Sequence, residues 1–280
     1  MHALKGHGTE NDFVILPDLD GAIELSAAAV TAICDRRAGI GADGILRVVR
    51  SAKHPEAVDQ AAEAEFFMDY RNADGSIAEM CGNGVRVFLR YLQRTGLVEQ
   101  EAAVATRGGI VIARLRADGD ISVRMGQPEV LADRPVVTVA HGEPRPALLT
   151  LTIPNPHVVV ELESEEQLSG LDLCSQPLVE PGLPQGQNVE FVVSSGERHI
   201  LMRVFERGVG ETRSCGTGIC AAAVAMAAKG GFDADGVPWR VDVPGGTCFV
   251  TWHGDGTVEL AGPAVIVAEL DLDQALLAPS

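Results

Sequence analysis

The sequence predicts an α+β protein of two pseudo-symmetric domains, each a curved, mostly antiparallel, barrel-like β-sheet around a central helix. Three observations predict it. A Cys-Gly-x-Gly motif occurs twice, as Cys81-Gly82-Asn83-Gly84 and Cys215-Gly216-Thr217-Gly218, each just ahead of a helical pattern. The residues around the two motifs align at a nearly constant shift over most of the chain. The βαβα alternation of a nucleotide-binding sheet is missing.

The repeat can be followed from end to end. Cys81 and Cys215 are 134 positions apart, and the same shift lays residues 66–72 on 200–206, pairing Asn72 with Glu206. Asn11-Asp12-Phe13 matches Asn155-Pro156-His157 at a shift of 144, which also pairs Gly44 with Asn188. Gly108-Gly109 matches Gly245-Gly246 at 137, and Gly126 matches Gly262 at 136. A period near half the chain means two homologous domains rather than a solenoid, whose repeats run to about 20–50 residues. Residues 1–125 are expected to form the first half, completed by a tail strand within 263–280. Residues 126–262 form the second, with the active site in the cleft between the halves.

The elements follow in order. Ser26 caps a helix over 27–35, and Ser164 with Gln167 reads as a capping box for a helix to about Leu173. Strands are expected at 45–49 and 66–71, and again at 189–193 and 200–205. After Cys81, the residues Val85, Phe88, Leu89 and Leu92 recur at helical spacing, and Gly96 ends that helix. After Cys215, residues 219–228 are apolar all round, which marks a buried helix ended by Gly230-Gly231. Strands at 110–115, 121–125, 247–252 and 258–261 close the halves. Residues 52–64 read as a polar loop. The proline-rich stretch 128–146 carries the crossing into the second domain, and 264–270 reads as a strand returning to the first.

Composition narrows the function. Hydrophobic residues make up 46% of the 280, enough for two cores, but aromatics only 4%, so Ala, Val, Leu and Ile must fill them. A net charge of −17 argues against nucleic acid, which needs a basic footprint. The first residues hold no apolar signal core, and the longest apolar run falls far short of the ~20 residues that span a bilayer. A soluble cytoplasmic protein with no membrane partner is expected. No cysteine spacing matches a zinc site, so no metal is expected. Cys34, Cys174, Cys220 and Cys248 read as small buried hydrophobes, and Arg86 with Arg90 as a solvated helix face.

Cys81 and Cys215 stand apart. A helix start offers backbone N–H groups and a partial positive charge, and a cysteine held there is expected to have a lowered pKa. Two such sites fit one reaction: a thiolate removes a proton from one face of a carbon, a thiol delivers one to the other, and configuration inverts. The carbanion at an amino-acid Cα needs strong stabilisation. Backbone N–H groups of Gly82, Asn83, Gly216 and Thr217 around the α-carboxylate would supply it without a cofactor.

The chain closely resembles the diaminopimelate epimerase family. The resemblance rests on Gly8-Thr9-Glu10-Asn11-Asp12-Phe13, Asn72-Ala73-Asp74-Gly75-Ser76, Cys81-Gly82-Asn83-Gly84, Asn155-Pro156-His157, Asn188-Val189, and Glu206-Arg207-Gly208 through to Cys215-Gly216-Thr217-Gly218. It implies a pyridoxal-independent isomerase, a homodimer, that interconverts LL- and meso-2,6-diaminopimelate in lysine and peptidoglycan precursor biosynthesis. It makes Cys81 and Cys215 the acid/base pair, with His157 beside one thiol and Glu206 beside the other. It places Asn11, Asn72, Asn155, Asn188 and Arg207 on the substrate. A bidentate Arg207 suits the distal carboxylate, and Glu206 also suits the distal ammonium. Many relatives carry Gln where this chain has Gly44, so no side-chain contact is expected from residue 44.

Two alternatives belong to this reading. A thiol redox protein would cycle Cys81 and Cys215 through a disulfide, but would have no use for the Asn, Glu and Arg constellation. A proline or hydroxyproline racemase would use both thiols and leave Glu206-Arg207 idle.

Overall fold

In this computed structural model residues 1–232, 234–273 and 276 are described. The first elements are β1 (His2–Gly8), β2 (Asn11–Pro17), α1 (Ala27–Cys34), β3 (Gly44–Arg50), β4 (Phe66–Asn72), α2 (Gly82–Arg94), β5 (Glu101–Thr106), β6 (Gly109–Leu115) and β7 (Ile121–Gly126). There follow β8 (Glu129–Val130), β9 (Val136–Thr138), β10 (Arg145–Pro146), β11 (Leu149–Thr152), β12 (Pro156–Glu161), α3 (Glu165–Ser169), β13 (Leu178–Glu180), β14 (Asn188–Gly196) and β15 (His199–Glu206). The last are β16 (Gly210–Thr212), α4 (Gly216–Gly230), β17 (Trp239–Val243), β18 (Gly246–Trp252), β19 (Val258–Gly262) and β20 (Val265–Asp271). By contacts the chain divides into Met1–Val123 with Gly262–Ser280, and Arg124–Ala261. The proline-rich stretch 128–146 therefore lies inside the second unit, and β20 inside the first. Of the expected tail segment, residues 274, 275 and 277–280 fall outside the described residues. No helix among the described residues is long and apolar enough to cross a membrane.

Within the first unit the strands follow the path β20-β1-β2-β3-β4-β5-β6-β7. Within the second they follow β8-β11-β12-β14-β15-β17-β18-β19. The sense of successive pairs is the same in both: antiparallel twice, parallel, antiparallel, parallel, antiparallel twice. Even the register repeats. Phe13 lies opposite Gly44 and His157 opposite Asn188; Ile45 lies opposite Arg71 and Val189 opposite Phe205. Thr106 pairs with Gly109 across one hairpin, and Val243 with Gly246 across its counterpart. The repeat read from the sequence is a repeat of strand pairing.

Each sheet wraps one helix. α2 touches every strand from β1 to β6 of its unit and β20 besides, while α4 touches β11, β12, β14, β15, β17 and β18. In α2 the face that carries Val85, Phe88, Leu89 and Leu92 is fully buried. α4 is buried on all sides from Gly216 to Ala227, which is why its sequence shows no polar face. Gly231, in the left-handed conformation (φ 72), closes it. Ser26 caps α1 through the N–H of Ala29.

Some expectations need correction. The helix after Ser164 stops at Ser169 rather than near Leu173. Gly170 forms its C-cap, and Arg203 takes the carbonyls of Leu168, Ser169 and Leu171. Cys174 consequently falls in a turn and is exposed, its N–H donated to Asp172. The loop over 52–64 holds two single-turn 3-10 helices, Ser51–Lys53 and Val58–Gln60. Arg86 and Arg90 form no solvated face: Arg86 is 0% exposed, and Arg90 is half-buried with Nε on the Ala264 carbonyl.

Gly44 lies opposite Asn72 in the β3–β4 pair. A β-carbon added there would stand 2.4 Å from the carbonyl oxygen of Arg71 and 2.7 Å from the Tyr70 ring. The backbone oxygen cannot move without disturbing the ladder. Gly44→Gln is therefore expected to destabilise the protein by about 1–3 kcal/mol, the usual cost of overpacking. Urea unfolding of the unliganded variant checks this, and unchanged stability would contradict the packing account.

Candidate active site

Both motif cysteines are N-cap residues with extended backbone, Cys81 at φ −145, ψ 116 and Cys215 at φ −121, ψ 114. Each sulfur accepts the N–H of the residue three positions on, Gly84 at 3.3 Å and Gly218 at 3.4 Å. The position is one normally held by Ser, Thr, Asp or Asn. Here a thiol takes it, so the sulfur is fixed by the helix itself.

Around Cys81 the partners are amides. Asn11 Oδ1 lies 3.7 Å from the Cys81 sulfur and accepts its S–H. The orientation of Asn11 follows from a chain of bonds with a fixed direction. Arg86, a donor only, gives Nη2–H to Asn83 Oδ1 at 2.6 Å. Asn83 Nδ2 must then donate, and does so to Asn11 Oδ1 at 3.2 Å. Asn11 Nδ2 in turn donates to Asp43 Oδ2 at 2.8 Å. Arg86 is anchored by Thr9 Oγ1 and the Pro263 carbonyl. At the other end Asp43 and Asp12 share Arg36. Burial opposes ionisation of Asp12, but hydrogen bonds from Arg36 and Lys5 outweigh it and bring its pKa to about 2. Asn72, at the end of β4, donates to Ser76 Oγ, which is itself held by Asp74.

Around Cys215 the partners are acids. Its sulfur lies 3.4 Å from Thr217 Oγ1 and hydrogen-bonds Glu206, which is bonded to Thr212 as well. His157 is 0% exposed, with Nδ1 2.7 Å from Glu190 Oε1 and Nε2 3.0 Å from Asn155 Oδ1. Asn188 donates to the Pro156 carbonyl and accepts the Arg207 N–H at 2.9 Å, tying β12 and β14 to the turn that carries Glu206-Arg207. The Arg207 side chain is exposed, with Nη1 on the Gln185 carbonyl.

The expected lowering of the thiol pKa does not hold for Cys215. Burial, followed by the charges of Glu206 and Glu190, pushes the thiol well above its ordinary 9.0, and the bonds from Thr217 and Gly218 do not offset them. Burial likewise pushes Glu206 up, helped by Glu190, with Thr212, Cys215 and His157 acting the other way. A helix start favours a thiolate only when the rest of the surroundings permits one. Here acids compete for ionisation in a dry place, and the resting group is a thiol that holds its proton.

Two of these residues escaped the sequence reading. Arg86 reads as surface on charge alone, since nothing local reveals Asn83 and Thr9 as its partners. Glu190 had a visible signal: it is a lone acid in the apolar strand run 189–193, at the place the repeat pairs with Leu46. Among the described residues, no group of three or more His, Cys, Asp or Glu is arranged to hold a metal ion.

The fold defines a class. Solved structures of a Bacillus anthracis PhzF-family phenazine biosynthesis protein (TM-score 0.68, 17% identity, 97% of this chain and 98% of that one) and a hydroxyproline epimerase from Agrobacterium vitis (TM-score 0.66, 14%, 96% and 91%) share it. At these identities the likeness is one of fold, a duplicated design of sheet around helix. Sequence comparison is narrower. The profile of the family described as diaminopimelate epimerase matches residues 3–131 and 149–267. The diaminopimelate epimerase of Streptomyces coelicolor is 55% identical over 98% of this chain and 96% of its own, and that of Thermobifida fusca 50% over 97% and 98%. The chain belongs to the diaminopimelate epimerase family.

The state of Cys215 can be checked by alkylation. Because its pKa is raised, thiolate is scarce at neutral pH and appears only as pH rises past the ordinary thiol value of 9.0. Iodoacetamide labelling of Cys215 in the unliganded protein, followed by peptide mass, is expected to be slow at pH 7 and to accelerate above pH 9.0. Rapid labelling at pH 7 would contradict the electrostatic reading.

Proposed function

We propose that this protein is a diaminopimelate epimerase, an isomerase interconverting LL- and meso-2,6-diaminopimelate by proton transfer at one α-carbon. The observation that carries the reading is the pair of helix-capping thiols, Cys81 and Cys215, in two halves of matching strand order and register. One thiolate takes the α-proton from one face, and the other thiol gives its own proton to the opposite face. The product differs only in configuration, and the two sulfurs have exchanged protonation states. In the reverse direction their roles exchange. A raised pKa at Cys215 supports its starting as the donor.

In this proposal the first residues of α2 and α4, Gly82, Asn83, Gly216 and Thr217, bind the α-carboxylate through backbone N–H groups. Carbanion charge spreads into that carboxylate, so donors aimed at it act most strongly in the transition state. Glu206 assists proton transfer at Cys215, with which it shares a hydrogen bond. His157 is the second helper. Asn11, Asn72, Asn155 and Asn188 position the substrate, and Arg207 takes the distal carboxylate as a two-pronged donor. Following the family resemblance, we propose that the enzyme works without a cofactor, in the cytoplasm, as a homodimer and in lysine and peptidoglycan precursor synthesis. The net charge of −17 supports a small-molecule substrate over a nucleic-acid partner.

Cys81→Ala and Cys215→Ala are each expected to abolish LL-to-meso conversion while leaving circular dichroism and melting temperature near wild type. Each removes one of two groups that must act in every turnover, so loss at either should be complete. Near-wild-type turnover by either variant would overturn the two-thiol assignment.

A further inference from the structure

The two halves match in backbone but differ at one buried place. The shift of 144 carries Phe13 to His157 and Leu46 to Glu190. All four side chains are 0% exposed. The fold thus fills these positions with a phenylalanine and a leucine in one half, and with an imidazole and a carboxylate in the other. Burying ionisable groups is costly unless they are well paired, and the first half shows that the architecture does not require them. Glu190 makes one side-chain hydrogen bond, to His157 Nδ1 at 2.7 Å. Its other oxygen, Oε2, is buried with no hydrogen-bond partner among the described residues. It also lies hard against the start of α4: a β-carbon on Gly218 would stand 2.7 Å from Glu190 Oε1. A carboxylate so placed holds together little except His157.

We propose that Glu190 is a positioning residue for proton transfer, acting through His157: it orients the ring through Nδ1 and shares a second proton with it, while Nε2 donates to Asn155. The inference rests on the reading of His157 as a proton-transfer helper. The hydrogen-bond inventory gives the reason. Asn155 Oδ1 is an acceptor, so Nε2 at 3.0 Å donates to it. A further proton lies in the 2.7 Å bond between Nδ1 and Oε1. The pair therefore carries two protons and no net charge, whichever of the two atoms holds the shared one. An unpaired carboxylate here would instead add a full negative charge beside Cys215 and Glu206, the ionisable groups that face it together with His157. In acid–base triads an acid on Nδ1 likewise fixes the orientation of the imidazole and stabilises its doubly protonated form.

Glu190→Gln tests this, because it keeps the shape and removes the obligatory acceptor. At neutral pH, kcat per folded molecule is expected to fall about tenfold or more, within the range that one positioned proton-transfer group supplies, while KM changes less. Nitrogen-15 NMR of the His157 ring should show that the proton shared at Nδ1 has been lost at the same pH, Nδ1 now accepting from the carboxamide while Nε2 still donates to Asn155. His157→Phe combined with Glu190→Leu, which copies the first half, should fold with at least wild-type stability and be inactive. Should Glu190→Gln not fold, Glu190→Asp, which shortens the reach, carries the same kinetic test. Wild-type kcat in the variant that folds, or an unchanged His157 ring spectrum, would overturn the inference. A wild-type rate in His157→Asn would instead sink the reading of His157 itself. An impaired His157→Asn beside an intact Glu190→Gln would sink only the role given to Glu190.

Discussion

A sulfur atom caps the central helix of each half, and much of the structure serves that one contact. The cap requires extended backbone at the cysteine and close approach of the third residue's N–H, at 3.3 Å for Gly84 and 3.4 Å for Gly218. It also requires that nothing crowd the first turn. A β-carbon at Gly84 would press on Leu46 at 3.2 Å, and one at Gly218 on Glu190 at 2.7 Å. Wrapping the sheet around the helix then buries its body and fixes its start. The thiols are held by the same forces that hold the cores, which is what an acid–base group needs if it is to meet one carbon in one orientation.

The two halves use one backbone for two electrostatic settings. Beside Cys81 an ordered run of amides, oriented by Arg86 at one end and Asp43 at the other, presents a neutral oxygen to the sulfur. Beside Cys215 stand Glu206 and Glu190, the latter paired with His157, and the thiol is pushed towards its neutral form. A reaction that moves a proton from one sulfur to the other needs unlike partners at rest. Duplication supplied two similar sites, and side chains at matched positions made them different.

Most of the fold was legible because the chain states it twice. The strands β3, β4, β14 and β15 lie within a residue or a few of where alternation and β-branching placed them, and both central helices end at the glycines that stop them. Fixed registers such as Phe13 with Gly44 and His157 with Asn188 turned a sequence alignment into a topology. The failures share one cause, which is dependence on distant partners. Helix α3 ends early because Arg203, far along the chain, claims its carbonyls. Arg86 is buried because Thr9, Asn83 and Pro263 converge on it. The thiol of Cys215 departs from the helix-start expectation because Glu206 and Glu190 approach from separate strands. The motif revealed where the sulfur sits, and only tertiary structure revealed what faces it.

Proton bookkeeping tests the central claim most directly. LL-diaminopimelate is converted in deuterium oxide, and the α-positions of product and of unreacted substrate are analysed by mass and NMR at early conversion. If one thiol removes the proton while another, equilibrated with solvent, delivers to the opposite face, each meso molecule gains one deuterium and the recovered LL substrate gains almost none. Deuterium accumulating in recovered substrate as fast as in product, or protium carried from substrate into product, would mean that a single group works both faces, and would contradict the account.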